Sequence, residues 1–196
     1  MSYDIYLKER VSGETIMLPN KHMMTGGTYR ADYDEKTGTF SPSAINEAWL
    51  NITYNYSRYY YEAAEGDKRF YGEKEWPKEE GVHNLGIRGL YGKTGLESLS
   101  MLKDLISRIE SNYKKNGDWI TTKRSKIVYK DDFGKELEFV EILGKKIKYT
   151  EEKIDVEVYE GPSSDYWAST AANAIKPLYQ LLVFAELRPD GIWYGD

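Results

Sequence analysis

Ala48-Trp49-Leu50-Asn51-Ile52-Thr53-Tyr54-Asn55-Tyr56 alternates without a break. Leu50, Ile52, Tyr54 and Tyr56 fall on one side, and Trp49, Asn51, Thr53 and Asn55 on the other. A period of two is the mark of a strand with one face on a core. The second face carries two amides and a hydroxyl beside an indole, without the Lys and Glu of an ordinary solvated face. That mixture suits hydrogen bonding to a small polar ligand, although a polar surface strand is the plainer reading. The pattern predicts a long strand from about Glu47 to Ser57 and places Asn51, Thr53, Tyr54 and Asn55 among the candidate ligand-binding residues.

Upstream, Tyr3, Ile5 and Leu7 alternate against Asp4, Tyr6 and Lys8, which predicts a first strand. A turn at Val11–Glu14 and an apolar run over Thr15–Leu18 predict an opening hairpin. Gly26 and Gly27 mark a sharp turn. Downstream, Ala63–Gly81 is charged and broken by Gly66, Gly72 and Pro77, and reads as a surface excursion. Thr94 followed by Glu97 is a capping box. Leu99, Leu102, Leu105, Ile106 and Ile109 then form one apolar stripe, which predicts a helix over Gly95–Tyr113. Between Asp118 and Gly161 the texture turns to short alternating runs with turn signals, predicting a charged β-meander over 118–160. A last helix is expected from about Ser169 to Leu187, with Pro177 either kinking it or lying near its start. The aromatic Ile192-Trp193-Tyr194 segment is expected to dock within the fold. The fold class that follows is α+β: one domain over residues 1–196, an antiparallel sheet against two main helices, with the meander added.

Composition narrows the chemistry. The chain has 196 residues and no Cys, with 32 acidic and 27 basic residues for a net charge of −5. Disulfides, thiolate nucleophiles and Cys-based metal sites are excluded, and a cytoplasmic location is expected. No apolar run is long enough to cross a bilayer, and residues 1–4 lack the pattern of a signal peptide, so no membrane partner is expected. Nucleic acid is an improbable partner for so balanced a charge. The 18 Tyr and five Trp are residues over-used in binding surfaces, and a homo-oligomer is compatible with them.

Candidate sites are few. Gly92-Lys93-Thr94 at a helix start resembles a P-loop only superficially, because the earlier glycine of that motif would fall at Ile87. A weaker anion site remains, made by helix-terminal N–H groups with Lys93, Thr94 and the nearby Arg88. The role of Arg88 is otherwise a salt bridge. His22 and His83 lack a second ligand at helical or strand spacing, no nucleophile elbow is present, and carboxylate pairs such as Asp131-Asp132 lie in turns. The expectation is a protein without catalysis, metal or cofactor.

Taken together, Tyr3–Lys8, Gly26-Gly27-Thr28-Tyr29, Ala48–Tyr56, Leu90–Gly95 and Leu187–Trp193 resemble an uncharacterised family of small bacterial, prophage and phage proteins. The resemblance covers roughly half of the residues, and implies that 118–160 is an insertion. It brings no activity. What it implies is context: a phage or mobile-element accessory protein that inhibits host antiviral defence in the host cytoplasm. Sequestering a small anionic, nucleotide-like ligand at Asn51, Thr53, Tyr54, Asn55, Arg88, Lys93 and Thr94 is the leading expectation. The alternative is a protein–protein inhibitor of a defence complex, or a structural phage component, with the meander as its interface.

Overall fold

A computed structural model describes residues 2–23, 31–75, 78–137, 141–142, 145–146 and 148–196. The Gly26–Gly27 turn and the Gly26–Tyr29 motif lie outside these. The fold is α+β, as expected. Its strands are β1 (Ser2–Lys8), β2 (Met17–His22), β3 (Ala31–Asp34), β4 (Thr39–Pro42), β5 (Ile45–Glu47), β6 (Trp49–Thr53), β7 (Tyr71–Glu75) and β8 (Lys78–Asn84). After the central helix come β9 (Lys114–Lys115), β10 (Asp118–Trp119), β11 (Thr121–Lys130), β12 (Glu136–Leu137), β13 (Glu141–Ile142), β14 (Lys145–Lys146), β15 (Thr150–Tyr159) and β16 (Ile192–Gly195). The helices are α1 (Ser57–Ala64), α2 (Gly95–Tyr113) and α3 (Ala171–Leu187). Two compact units emerge, one from residues 1–119 with 161–196, the other from Ile120–Glu160.

In the first unit, β1 lies between β16 and β6 in an antiparallel sheet. Its register sets Leu7 opposite Trp193, Ile5 opposite Leu50 and Tyr3 opposite Ile52. All six are buried, because cross-strand partners share a face. That face joins one core with Leu102, Leu105 and Ile109 of α2 and Leu178 and Leu181 of α3. Trp193 donates from Nε1 to Ser98 Oγ at 2.8 Å, so the aromatic segment docks inside the unit. The opening hairpin is short: Glu9 N–H donates to Glu14 O and Ile16 N–H to Leu7 O, both at 2.8 Å, around the Lys8–Thr15 bridge. β2 then pairs with β5, while Ala48 N–H donates to Ile16 O at 2.8 Å.

The strand through Asn51 is shorter than its alternation predicts. It stops at Thr53, whose hydroxyl accepts from Asn55 N–H and caps a 3-10 turn at Tyr54–Tyr56 that leads into α1. From there the buried residues are Tyr56, Tyr59, Tyr60, Ala63 and Ala64, a helical period. The hydroxyls of Tyr56, Tyr59 and Tyr60 reach the carbonyls of Tyr166, Ser169 and Ala174, the last two at 2.8 and 2.9 Å. Three phenols thus enter the core with their polar ends satisfied. The stretch expected as an excursion, Ala63–Gly81, holds β7 and the start of β8, which pair as a hairpin with Tyr71 opposite Asn84.

Helix α2 has the predicted bounds and capping box. Helix α3 continues through Pro177 from a Thr170 cap. In the second unit, β11 and β15 pair over ten residues, from Thr121–Tyr159 to Lys130–Thr150. The strand order is β12-β11-β15, with the β13–β14 hairpin between β12 and β15 in sequence. Among the described residues, the unit is a long β11–β15 ribbon with the short β12 beside β11. Cross-strand complementarity fixes it: Lys123 faces Glu157, and Ser125 Oγ donates to Asp155 at 3.0 Å. At its base the buried Glu160 carboxylate accepts from Arg124 and Thr122, both at 2.5 Å.

Candidate functional site

The sheet positions one end of a cavity of about 770 Å³ in the first unit. Tyr54 enters it from the 3-10 turn after β6, and Gly195 and Asp196 from the end of β16. Arg88 and Tyr91 come from the Gly86–Leu90 3-10 segment and the residue after it. The far wall is Tyr61 of α1 with Glu73, His83, Asn84 and Leu85 of the β7–β8 hairpin and its exit.

Local chemistry explains why these segments meet. Asn84 Oδ1 accepts from Gly86 N–H at 2.9 Å, while its Nδ2 donates to Tyr61 O at 2.9 Å and Glu65 Oε2 at 3.0 Å. One amide therefore ties the hairpin exit to α1. Gly86 has φ +55° and passes beneath the Tyr61 ring; a Cβ there would lie 3.3 Å from it. On the other side, Gly92 N–H donates to Trp193 O and Trp193 N–H to Lys93 O, both at 2.9 Å. These bonds run the 92–94 segment beside β16 and bring Arg88 to the sheet end.

Arg88 is the centre of the site. Its Nη2 donates to Tyr54 Oη at 2.7 Å and its Nε to Asp196 O at 3.0 Å. The guanidinium lies 4.9 Å from the Tyr3 ring centroid and 5.5 Å from that of Tyr54, within reach of the ring quadrupoles. Among the described residues it pairs with no side-chain carboxylate, which is not the salt bridge that composition makes ordinary. Burial works against its charge, but the phenol oxygens of Tyr54, Tyr3, Tyr91 and Tyr61 outweigh that and hold Arg88 above its usual value. Burial also pushes the Tyr3 phenol up to about 12 and Tyr91 higher still. At neutral pH the wall thus offers a fixed cation framed by protonated phenols.

The other candidate residues are engaged elsewhere. Asn51 lies on the polar face of the sheet and donates to Ser2 Oγ and Asp4 Oδ1, both at 2.8 Å. Thr53 is buried as a cap, and Asn55 donates to Trp167 O at 2.7 Å, fastening the loop before α3. Neither strand amide lines the cavity.

The anion site expected at the start of α2 is already filled by the protein. Gly95 and Leu96 N–H donate to Gly191 O and Pro189 O at 2.8 and 3.0 Å, and Glu97 N–H donates to Thr94 Oγ1 at 3.2 Å. The Glu97 carboxylate accepts from Thr94 N–H and Oγ1, which holds its pKa below the ordinary value. Thr94 is therefore a capping residue, and Lys93 contributes its backbone to β16 rather than a side chain to the cavity.

Of the seven sequence candidates, Tyr54 and Arg88 come together. Tyr61, Glu73, His83, Asn84 and Tyr91 complete the wall and were not singled out by motif. Tyr91, three residues beyond Arg88 in a glycine-rich segment, carried the only usable signal. Among the described residues no three His, Asp or Glu side chains gather as a metal site, and no helix is long and apolar enough to cross a membrane. No family model, curated protein or solved structure matches the chain.

Proposed function

We propose that this protein binds and sequesters a small nucleotide-like ligand in the Arg88 cavity and performs no catalysis on it. One observation carries the reading: Arg88 lines a ligand-sized cavity, stacked against tyrosine rings, with its charge unmatched by any described side-chain carboxylate partner. Small-molecule sites span about 300–1,000 Å³ and combine aromatic walls with a few convergent polar groups. A planar base has Tyr54, Tyr61 and Tyr91 to pack on, and a phosphate or carboxylate has a guanidinium presented from a rigid frame. The resemblance to phage and prophage proteins supplies the setting: an accessory protein acting in the host cytoplasm that withholds such a ligand from an antiviral defence.

The test is native mass spectrometry on gently purified protein, before and after addition of a nucleotide panel, repeated with Arg88→Ala. A bound mass of a few hundred daltons, released unaltered on denaturation and lost in the variant, is the expected result. An unshifted mass with every nucleotide, in protein of native circular dichroism, would sink the reading.

A further inference from the structure

The charges around the cavity narrow its ligand. Resting on the reading of the cavity as a ligand site, we propose that it selects a singly charged nucleotide-like molecule, such as a cyclic nucleoside monophosphate, over polyphosphates, because Glu73 and Asp196 line it alongside Arg88.

Among the described lining residues Arg88 is the one Lys or Arg, whereas Glu73 and Asp196 each bring a side-chain carboxylate. The Asp196 side chain is held in place, its Oδ1 accepting from Asp4 N–H at 2.9 Å, and its main-chain oxygen fixes Arg88 Nε. Glu73 is exposed on the hairpin wall. A single phosphodiester charge can therefore be matched by the guanidinium. Each further charge meets no second cation among the described lining residues and is repelled by both side-chain carboxylates. Ribose hydroxyls and exocyclic amines, by contrast, are donors, and a carboxylate is the acceptor they fit. The cavity volume accommodates a mononucleotide, so selection rests on charge rather than size.

Isothermal titration calorimetry on the full chain tests this with two series, adenosine, 3′,5′-cyclic AMP, AMP and ATP, and the corresponding uridine compounds. The expected order within at least one series places the cyclic monoester first. The uncharged nucleoside is weaker by about tenfold or more, for want of a partner for Arg88. The triphosphate is weaker by at least a similar factor. Glu73→Gln, at an exposed side chain, is expected to narrow the triphosphate gap by about threefold per extra ligand charge, the size of a water-screened repulsion over several ångströms. A triphosphate that binds as tightly as the cyclic compound overturns the charge selection while leaving the cavity reading intact. A gap that Glu73→Gln does not change removes Glu73 as its cause. No binding by any compound of either series, in folded protein, overturns the cavity reading itself.

Discussion

Raising the pH should unfold this protein cooperatively between about pH 11 and 12, driven by buried tyrosines. Burial pushes the phenols of Tyr3, Tyr56 and Tyr113 up to about 12, with Asp165 adding to the effect at Tyr56 and Glu62 at Tyr113. Burial, with the neighbouring Tyr56 and Tyr3 adding to it, raises Tyr60 well above its ordinary value, and Tyr91 also lies above its own. The sign follows from linkage. A folded-state pKa above the unfolded value means that the native state holds its proton more tightly, so its contribution is complete below about pH 10 and declines as pH rises toward 12. At pH 11 an unfolded phenol is largely ionised and a folded one with a pKa near 12 is largely protonated. Each such tyrosine then costs roughly 1.4 kcal/mol of stability. The three at about 12 remove up to about 4 kcal/mol, reduced toward about 2 because the Tyr56 and Tyr113 hydroxyls are only part-buried. Against a typical total of about 5–15 kcal/mol, that loss, growing toward pH 12 and joined by Tyr60 and Tyr91, is decisive. Tyrosinate absorbance near 295 nm, followed with far-ultraviolet circular dichroism, reads it directly. A late, steep rise in absorbance should coincide with loss of ellipticity. Smooth ionisation of all 18 tyrosines near pH 10 with intact ellipticity would refute the burial of these phenols.

Three further outcomes are accessible. Gly95→Ala should destabilise although alanine is the better helix former. Its Cβ would meet Arg188 O, with Pro189 Cα at 3.0 Å and Ala185 O at 3.1 Å, so thermal melting should fall by about 5–10 °C, and a rise would show that the α2–α3 junction yields. Tyr60→Phe should cost about 1–3 kcal/mol in urea titrations, because its hydroxyl and Ala174 O meet in the interior; a neutral effect would contradict that bond. Replacing Ile120–Glu160 by two glycines should leave the first unit folded, since Glu160 N–H donates to Ile120 O at 3.0 Å and the ends of the removed piece adjoin. Retained nucleotide binding in that deletion fits the cavity, whereas loss of biological effect with binding intact would favour the inserted unit as a protein interface.

Local signals in the sequence were reliable where one periodicity ruled and a side chain closed the element. Thr94 and Glu97 fix the start of α2, the Leu and Ile stripe carries it to Tyr113, and β1 reads out through Tyr3, Ile5 and Leu7. The end of β6 was not legible because Tyr56 satisfies both patterns. It continues the alternation of Leu50, Ile52 and Tyr54, and it opens the helical series Tyr59, Tyr60, Ala63. What decides between them is Thr53 turning its hydroxyl onto Asn55 N–H, and carbonyls more than a hundred residues away receiving the phenols. Such acceptors carry no local signature. The β7–β8 hairpin was hidden for a different reason: Gly72, Gly81 and Pro77 punctuate it as they would a loop. That hairpin supplies Glu73, His83 and Asn84 to the cavity wall, so Tyr54 and Arg88 could be named as candidates while their convergence could not. The amides on the polar face show the converse limit. Asn51 and Asn55 have the chemistry of ligand-binding groups, but each is already satisfied, by Asp4 and Ser2 or by Trp167 O, and a satisfied amide has little left to offer a ligand. Arg88 differs because its described partners are a phenol and the Asp196 main-chain oxygen rather than a side-chain carboxylate. In a chain with more acidic than basic residues, a guanidinium at a cavity wall without a described side-chain carboxylate partner is where an anionic ligand gains most.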